Sequence, residues 1–170
     1  MAATIVLKER NTASPGVENT VSDDIFYGEY DDYIFDPTAY PILANGNSYE
    51  KYHRLYVSSL GGMTKIDKFK VHISSGSLGS NTALKTNARE TSYGGAAAYA
   101  TPVDTASAVA TQAMPTSLPT GANLGIGGSL SGAITSVPSY SDYLVSQVQC
   151  NASETVGKTI VMTYTWDETP

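Results

Sequence analysis

One stretch near the C-terminal end of the sequence has the residue types and the spacing of a phosphate-binding loop. Residues 152–159 read Ala-Ser-Glu-Thr-Val-Gly-Lys-Thr, which fits a relaxed nucleotide-binding loop with alanine in place of the first glycine. Such a loop must open a helix, because the helix N-terminus and nearby backbone N–H groups bind the phosphates. Here the residues that follow alternate like a β-strand. We therefore predict no nucleotide site.

The other potentially reactive side chains do not have a catalytic or metal-binding spacing. His53 and His72 are the only histidines, and no further ligands accompany them at the intervals that zinc sites use. No Gly-x-Ser-x-Gly motif occurs, although a Ser-His-Asp site could still assemble in space. Cys150 has no flanking motif and is expected to act as a small buried hydrophobe. We predict a non-enzymatic protein without metal or cofactor.

Aromatic and acidic residues alternate in the segment that we call the aromatic loop, residues 27–40. Prolines at 37 and 41 exclude a regular element there. One interpretation is a long connection whose rings pack onto the sheet; another is a partner-binding loop, because tyrosine is enriched at interface cores. A calcium site is a third, although the acids lack EF-hand spacing. The candidate interface residues are Tyr27, Tyr30, Tyr33, Phe35 and Tyr40.

Composition and charge exclude several classes of partner. The 170 residues suffice for one domain with a real core. The net charge is −6, and no Lys or Arg lies between Arg89 and Lys158, so we expect neither a nucleic-acid partner nor an anionic membrane. A single cysteine and an N-terminus without signal-peptide character favour a reducing compartment.

Strand-like alternation is clearest in residues 47–76. Phe69, Val71 and Ile73 point to one side and Lys68, Lys70 and His72 to the other, as in a sheet with one buried face. The half before it places His53, Leu55 and Val57 on one face, and Gly61-Gly62 lies between the halves. We predict a strand, a turn and a strand that form the central pair.

Further strands are predicted at 4–9, 82–86, 106–112 and 133–137. Residues 143–150 and 158–166 also alternate, and we predict that they form a β-hairpin. Residues 94–141, the arm, have Asp104 as their only charge; we expect the arm to lie against its own sheet or a neighbouring subunit, with a mobile loop as the alternative. The predicted fold is one domain over residues 1–170: an all-β antiparallel sandwich, jelly-roll or Ig-like, with about eight strands and long loops.

Several stretches resemble a family of tailed-bacteriophage virion proteins. They are residues 11–16 (Asn-Thr-Ala-Ser-Pro-Gly), 38–42 (Thr-Ala-Tyr-Pro-Ile), 47–51 (Asn-Ser-Tyr-Glu-Lys), 65–69 (Lys-Ile-Asp-Lys-Phe), and the tail from 141–143 to 164–168. The resemblance implies a structural capsid decoration or cement protein. Such a protein would assemble in the host cytoplasm, reside in the virion, bind the major capsid protein and form a homo-oligomer, with a trimer favoured.

Two alternative functions remain open from the sequence. A neck, tail or fibre-attachment component of the virion would look similar. A carbohydrate-binding β-sandwich is the alternative from another class, because the twelve tyrosines offer faces on which sugars could stack.

Overall fold

The computed structural model describes residues 1–22, 24–152 and 158–170. Within these ranges the chain has ten strands and no helix, so no described helix could cross a membrane. The strands are β1 (Thr4–Asn11), β2 (Val17–Thr20), β3 (Lys51–Ser59), β4 (Lys65–Gly76), β5 (Thr82–Thr86), β6 (Gln112–Ala113), β7 (Ala133–Ile134), β8 (Ser139–Tyr140), β9 (Leu144–Cys150) and β10 (Ile160–Thr169).

The strands form two antiparallel sheets, which confirms the predicted fold class. The large sheet has the order β2-β1-β3-β9-β5-β6, with β8 also paired to β3, and the small sheet has the order β10-β4-β7. The core lies between the sheets: Leu55 and Leu144 of the large sheet share one buried cluster with Ile66 and Phe69 of the small sheet. The alternation of apolar residues along β3 and β4 supplies these inward faces.

The predicted pairing of the two strands in residues 47–76 is wrong. Both strands form, and the turn between them closes with the N–H of Met63 donating to the carbonyl of Leu60 at 2.9 Å. Gly61 and Gly62 take φ values of 63° and 100° there, a region that glycine adopts without strain. However, β3 belongs to the large sheet and β4 to the small sheet. The turn therefore carries the chain across the core.

The predicted C-terminal hairpin is also wrong in its pairing. Strand β9 pairs with β3 and β5, whereas β10 pairs with β4 and with no other strand of the described residues. Alternation determines which side chains share a face but not which strand lies alongside. Strand β9 suits the centre of a sheet, because Leu144 to Val148 are buried on both faces. The phosphate-loop motif falls largely on residues 153–157, outside the described residues, and a strand follows it rather than a helix.

The arm packs on the chain's own sheets. It contains β6, β7 and β8, and Ala110, Leu124 and Ile134 are at most 2% exposed. The side chain of Asn123 bonds both the N–H and the carbonyl of Val71, at 2.8 Å each, so the arm continues alongside β4 beyond β7. The arm therefore supplies part of the core.

Candidate partner-binding surface

The aromatic loop is anchored to the sandwich by two of its predicted interface residues. The hydroxyl of Tyr27 lies 2.7 Å from the hydroxyl of Ser146 on β9, and burial raises the pKa of Tyr27 above its ordinary value. Phe35 is 8% exposed and meets the rings of Phe26, Tyr30 and Tyr40 edge-on. Tyr27 and Phe35 therefore hold the loop in place; Phe35 is buried, and Tyr27 is partly buried against the core.

Phe35 covers a buried ion pair at the end of the large sheet. The Nζ atom of Lys51 lies 5.3 Å from the centroid of the Phe35 ring. The same ammonium donates to Oε1 of Glu9 at 3.0 Å and to the backbone carbonyl of Asp32 at 2.6 Å. The Asp32 contact ties the loop backbone directly to β3. The loop therefore closes this end of the sandwich over a charged group that water does not reach.

The carboxylate of Glu9 has further partners in the same cavity. Nδ2 of Asn11 donates to Oε1 of Glu9 at 2.8 Å, and Nε2 of His53 lies 3.4 Å from Oε2. Burial opposes ionisation of Glu9, but the contacts with His53, Lys51 and Asn11 outweigh it and lower the pKa of the carboxyl group. Glu9 is therefore the counter-charge that lets Lys51 remain buried.

Tyr33 attaches the middle of the loop to the end of β2. Its hydroxyl donates to the carbonyl of Thr20 at 2.7 Å and accepts the N–H of Ser22 at 3.0 Å. The aromatic loop is therefore fixed at three separate places, to β2, β3 and β9. This arrangement agrees with the interpretation of a connection whose rings pack onto the sheet.

The loop and the residues just after it carry four exposed large apolar side chains. Tyr30 and Tyr40 stack with their centroids 4.5 Å apart and an interplanar angle of 18°, and they are 41% and 42% exposed. Ile34 and Leu43, on the same connection, are 57% and 61% exposed. We call these four residues the aromatic patch. Large exposed apolar side chains with aromatic members are typical of protein-binding surfaces.

The acidic residues of the loop do not converge on a cation. Oδ2 of Asp31 accepts the N–H of Thr12 at 3.0 Å. Oδ1 of Asp36 accepts the N–H and the hydroxyl of Thr38 and caps a turn. Within residues 1–22, 24–152 and 158–170, no group of three or more His, Cys, Asp or Glu side chains could hold a metal ion. Asp31 therefore ties the loop to the residue after β1, and Asp36 bonds the backbone of the loop itself.

The histidines and the cysteine are also separated from one another. His53 is fully buried beside Glu9, and His72 is 9% exposed on β4, so the wet position predicted for His72 is wrong. Cys150 is half-buried, with Sγ 3.4 Å from the hydroxyl of Thr82. No His, Cys, Asp or Glu side chain lines the open groove of about 280 Å³ beside Tyr93 or the groove of about 260 Å³ beside Leu78.

The sequence predicted the loop, but it did not predict which loop residues attach it to the sheets and which are exposed. Of the five predicted residues, Tyr30 and Tyr40 lie in the aromatic patch, and Tyr27, Tyr33 and Phe35 hold the loop. Ile34 and Leu43 were missed because a lone aliphatic residue in a loop gives no periodic signal. Comparison of the chain with protein-family models, curated proteins and solved structures gave no match.

Proposed function

We propose that the protein is a structural component of a tailed-bacteriophage virion, a decoration protein that binds the capsid surface through the aromatic patch. The resemblance of residues 11–16, 38–42, 47–51 and 65–69 to virion proteins supports this class. The all-β fold is compatible with it. The partner would be the major capsid protein, and repeated copies of the protein would occupy its lattice.

The observation that carries the proposal is the exposed stack of Tyr30 and Tyr40 on a loop held at three places. A preorganised loop loses little conformational entropy on binding, so more of the contact energy remains as affinity. Tyrosine gives a large contact area with few rotatable bonds and is enriched at binding hot spots. Tyr30 and Tyr40 therefore suit a firm contact with another protein surface.

A small patch on each copy is sufficient if the partner is a lattice. When many copies bind a repeated surface, contacts between neighbouring copies add to the affinity of each, because a bound copy raises the effective concentration of binding sites for the next. The acidic charge of the chain is unfavourable for contact with packaged DNA and suits an external position. Decoration of the outer capsid surface combines these properties.

The proposal is tested by adding purified protein to capsids assembled without it and measuring the bound fraction by co-sedimentation. The double variant Tyr30→Ser/Tyr40→Ser is expected to lose binding at least tenfold while keeping its fold. The matched control is Leu118→Ser, since Leu118 is 55% exposed but belongs to the arm.

Four outcomes would overturn the proposal. The first is wild-type protein that does not sediment with capsids, and the second is a double variant that binds as well as the wild type. Binding confined to purified tails would favour the neck or tail component. A glycan array in which the wild type binds sugars, but capsids do not retain it, would favour the carbohydrate-binding module.

A further inference from the structure

The two sheets have four edge strands, and one of the four is much longer than the others. The large sheet ends in β2 and β6, which have four and two residues, and the small sheet ends in β7, with two residues. Short edge strands are a usual protection against unwanted strand pairing. The fourth end is β10, which has ten residues. The longest edge of the molecule therefore lacks this protection.

Proline and charge, two other usual protections, are missing from most of β10, although its pairing with β4 has register shifts between Val161 and Met162 and between Thr165 and Asp167. The strand contains no proline, and its charged residues, Asp167 and Glu168, are confined to its C-terminal end. Among the described residues, β4 is the only strand that pairs with β10. The opposite side of β4 differs, because β7 and Asn123 of the arm cover it. Within the described residues, the chain thus covers one edge of the small sheet and pairs no strand with the other.

The inward side chains of β10 are less buried than those of its neighbour. Ile160, Met162, Tyr164 and Trp166 pack against the core but are only partly buried. The corresponding residues of β4, including Phe69 and Val71, are fully buried. An apolar row half open to solvent along a free strand edge provides both backbone hydrogen-bonding groups and hydrophobic surface for a further strand.

We infer that β10 pairs antiparallel with β10 of a second copy, so that two small sheets join into one six-stranded sheet across a two-fold axis. The contact is isologous, because the same strand serves both copies. It closes at two copies, unlike the trimer that the resemblance implies. The inference does not depend on the proposed capsid function.

The sequence of β10 favours one register of this pairing. A two-fold axis perpendicular to the sheet preserves the inner and outer faces, so opposite residues must come from the same face. With the axis at Thr163, Met162 lies opposite Tyr164 and Ile160 opposite Trp166, all of them on the core side. Apolar pairs directly across two strands are stabilising.

Neighbouring registers are less favourable. An axis at Tyr164 places Ile160 opposite Glu168, which sets an apolar side chain against a charged one. An axis at Met162 places Trp166 opposite a position that precedes Ile160, the first residue of β10. The register centred on Thr163 is therefore the one in which all four apolar residues of the row have apolar partners.

Cysteine cross-linking tests the register directly in the background Cys150→Ser, which removes the native thiol. In the variant Thr163→Cys, the two cysteines lie opposite each other across the axis, at a separation that a disulfide can span. The matched control is Thr165→Cys on the same outer face. In the proposed register, the cysteines at position 165 of the two protomers are offset by four residues, about 14 Å along the strands. Mild oxidation should give a covalent dimer for position 163 and not for position 165.

Sedimentation velocity over a concentration series tests the association without any cross-link. The wild type is expected to form dimers, and Thr163→Lys is expected to weaken dimerisation at least tenfold, because two lysines then lie opposite each other. Circular dichroism checks that the variant keeps its fold. A wild type that stays monomeric, a trimer that Thr163→Lys leaves intact, or equal cross-linking at positions 163 and 165 would each overturn the inference.

Discussion

The ammonium group of Lys51 lies 3.0 Å from Oε1 of Glu9, and neither side chain has any solvent exposure. The two residues lie on adjacent strands, where Glu9 pairs directly with His53, two residues from Lys51. The aromatic loop covers them through Phe35 and the carbonyl of Asp32. The position of the proposed binding loop is therefore coupled to a charge pair in the interior.

Lys51→Met should destabilise the protein by about 3–5 kcal/mol, because it removes the ammonium partner of the buried Glu9 carboxylate. The double variant Glu9→Gln/Lys51→Met should lose less than the sum of the single variants. Urea unfolding of all four proteins measures these differences. The matched control is Lys65→Met, since Lys65 is 41% exposed beside Asp67 and should contribute at most about 1 kcal/mol. Equal losses for Lys51→Met and Lys65→Met would contradict this assignment.

Two tyrosines of the core are expected to respond oppositely to loss of their hydroxyl groups. Within the described part of the chain, the buried hydroxyl of Tyr164 has no hydrogen-bond partner, so Tyr164→Phe should be neutral or stabilising by about 1–3 kcal/mol. The hydroxyl of Tyr27 bonds Ser146, so Tyr27→Phe should cost about 0.5–1.5 kcal/mol. Thermal or urea unfolding at neutral pH measures both. A larger loss from Tyr164→Phe than from Tyr27→Phe would refute the reading of these two contacts.

The same hydroxyl of Tyr164 predicts a loss of stability in alkaline solution. Burial raises the pKa of Tyr164 above its ordinary value of 10.0. Above that pH the unfolded chain has released the proton while the folded chain still holds it, so stability falls as pH rises. This contribution is complete below pH 10 and is lost as the pH approaches the folded-state pKa. Tyr164→Phe should make the fall of the unfolding free energy with pH less steep, by about 1.4 kcal/mol per pH unit. Urea unfolding from pH 9 upward measures this dependence. An unchanged slope would show that Tyr164 ionises as readily in the folded chain.

Gln147 is predicted to hold the beginning of the arm. Its Nε2 atom donates to the carbonyls of Ser48, Thr105 and Val103, at 3.0, 2.8 and 3.3 Å, and its Oε1 accepts the N–H of Ser107 at 2.9 Å. Gln147→Leu removes this partner from groups of the buried residues Ser48 and Ser107 and should cost at least about 2 kcal/mol.

Hydrogen exchange resolves whether the loss caused by Gln147→Leu is local. Exchange of residues 103–107 should become faster before the rest of the sheet is affected, because the arm opens first. Gln112→Leu is the control, since Gln112 is exposed on β6. Uniform acceleration over the whole chain, or no acceleration at residues 103–107, would contradict the role of Gln147.

The sequence predicts the strands better than it predicts their partners. Alternation in Phe69, Val71 and Ile73 depends on local geometry, and the strand there is confirmed. Whether a strand turns back beside its predecessor or crosses to the other sheet depends on contacts far along the chain. The turn at Gly61-Gly62 is compatible with both outcomes, so nothing nearby in sequence distinguishes a hairpin from a crossing.

The buried ion pair could have been found from the sequence. Lys51, His53, Leu55 and Val57 are alternate residues of one strand and so point to the same face, which is the core face. Glu9 could not be assigned as its partner, because the register of β1 against β3 comes from the folded sheet. The sequence likewise could not predict which residues of the aromatic loop attach it to the sheets and which form the aromatic patch, since alternation does not apply in an irregular segment.

The proposed assignment requires that a tailed bacteriophage encodes this chain, and cryo-electron microscopy of the native virions of that phage tests the central claim most directly. We predict two-layered β density at every equivalent position of the capsid lattice, in a fixed ratio to the coat protein, with the aromatic loop facing the coat. Mass spectrometry of the same particles should give that ratio independently. Absence of the protein from capsids, or a few copies confined to the neck or tail, would contradict the assignment as a decoration protein.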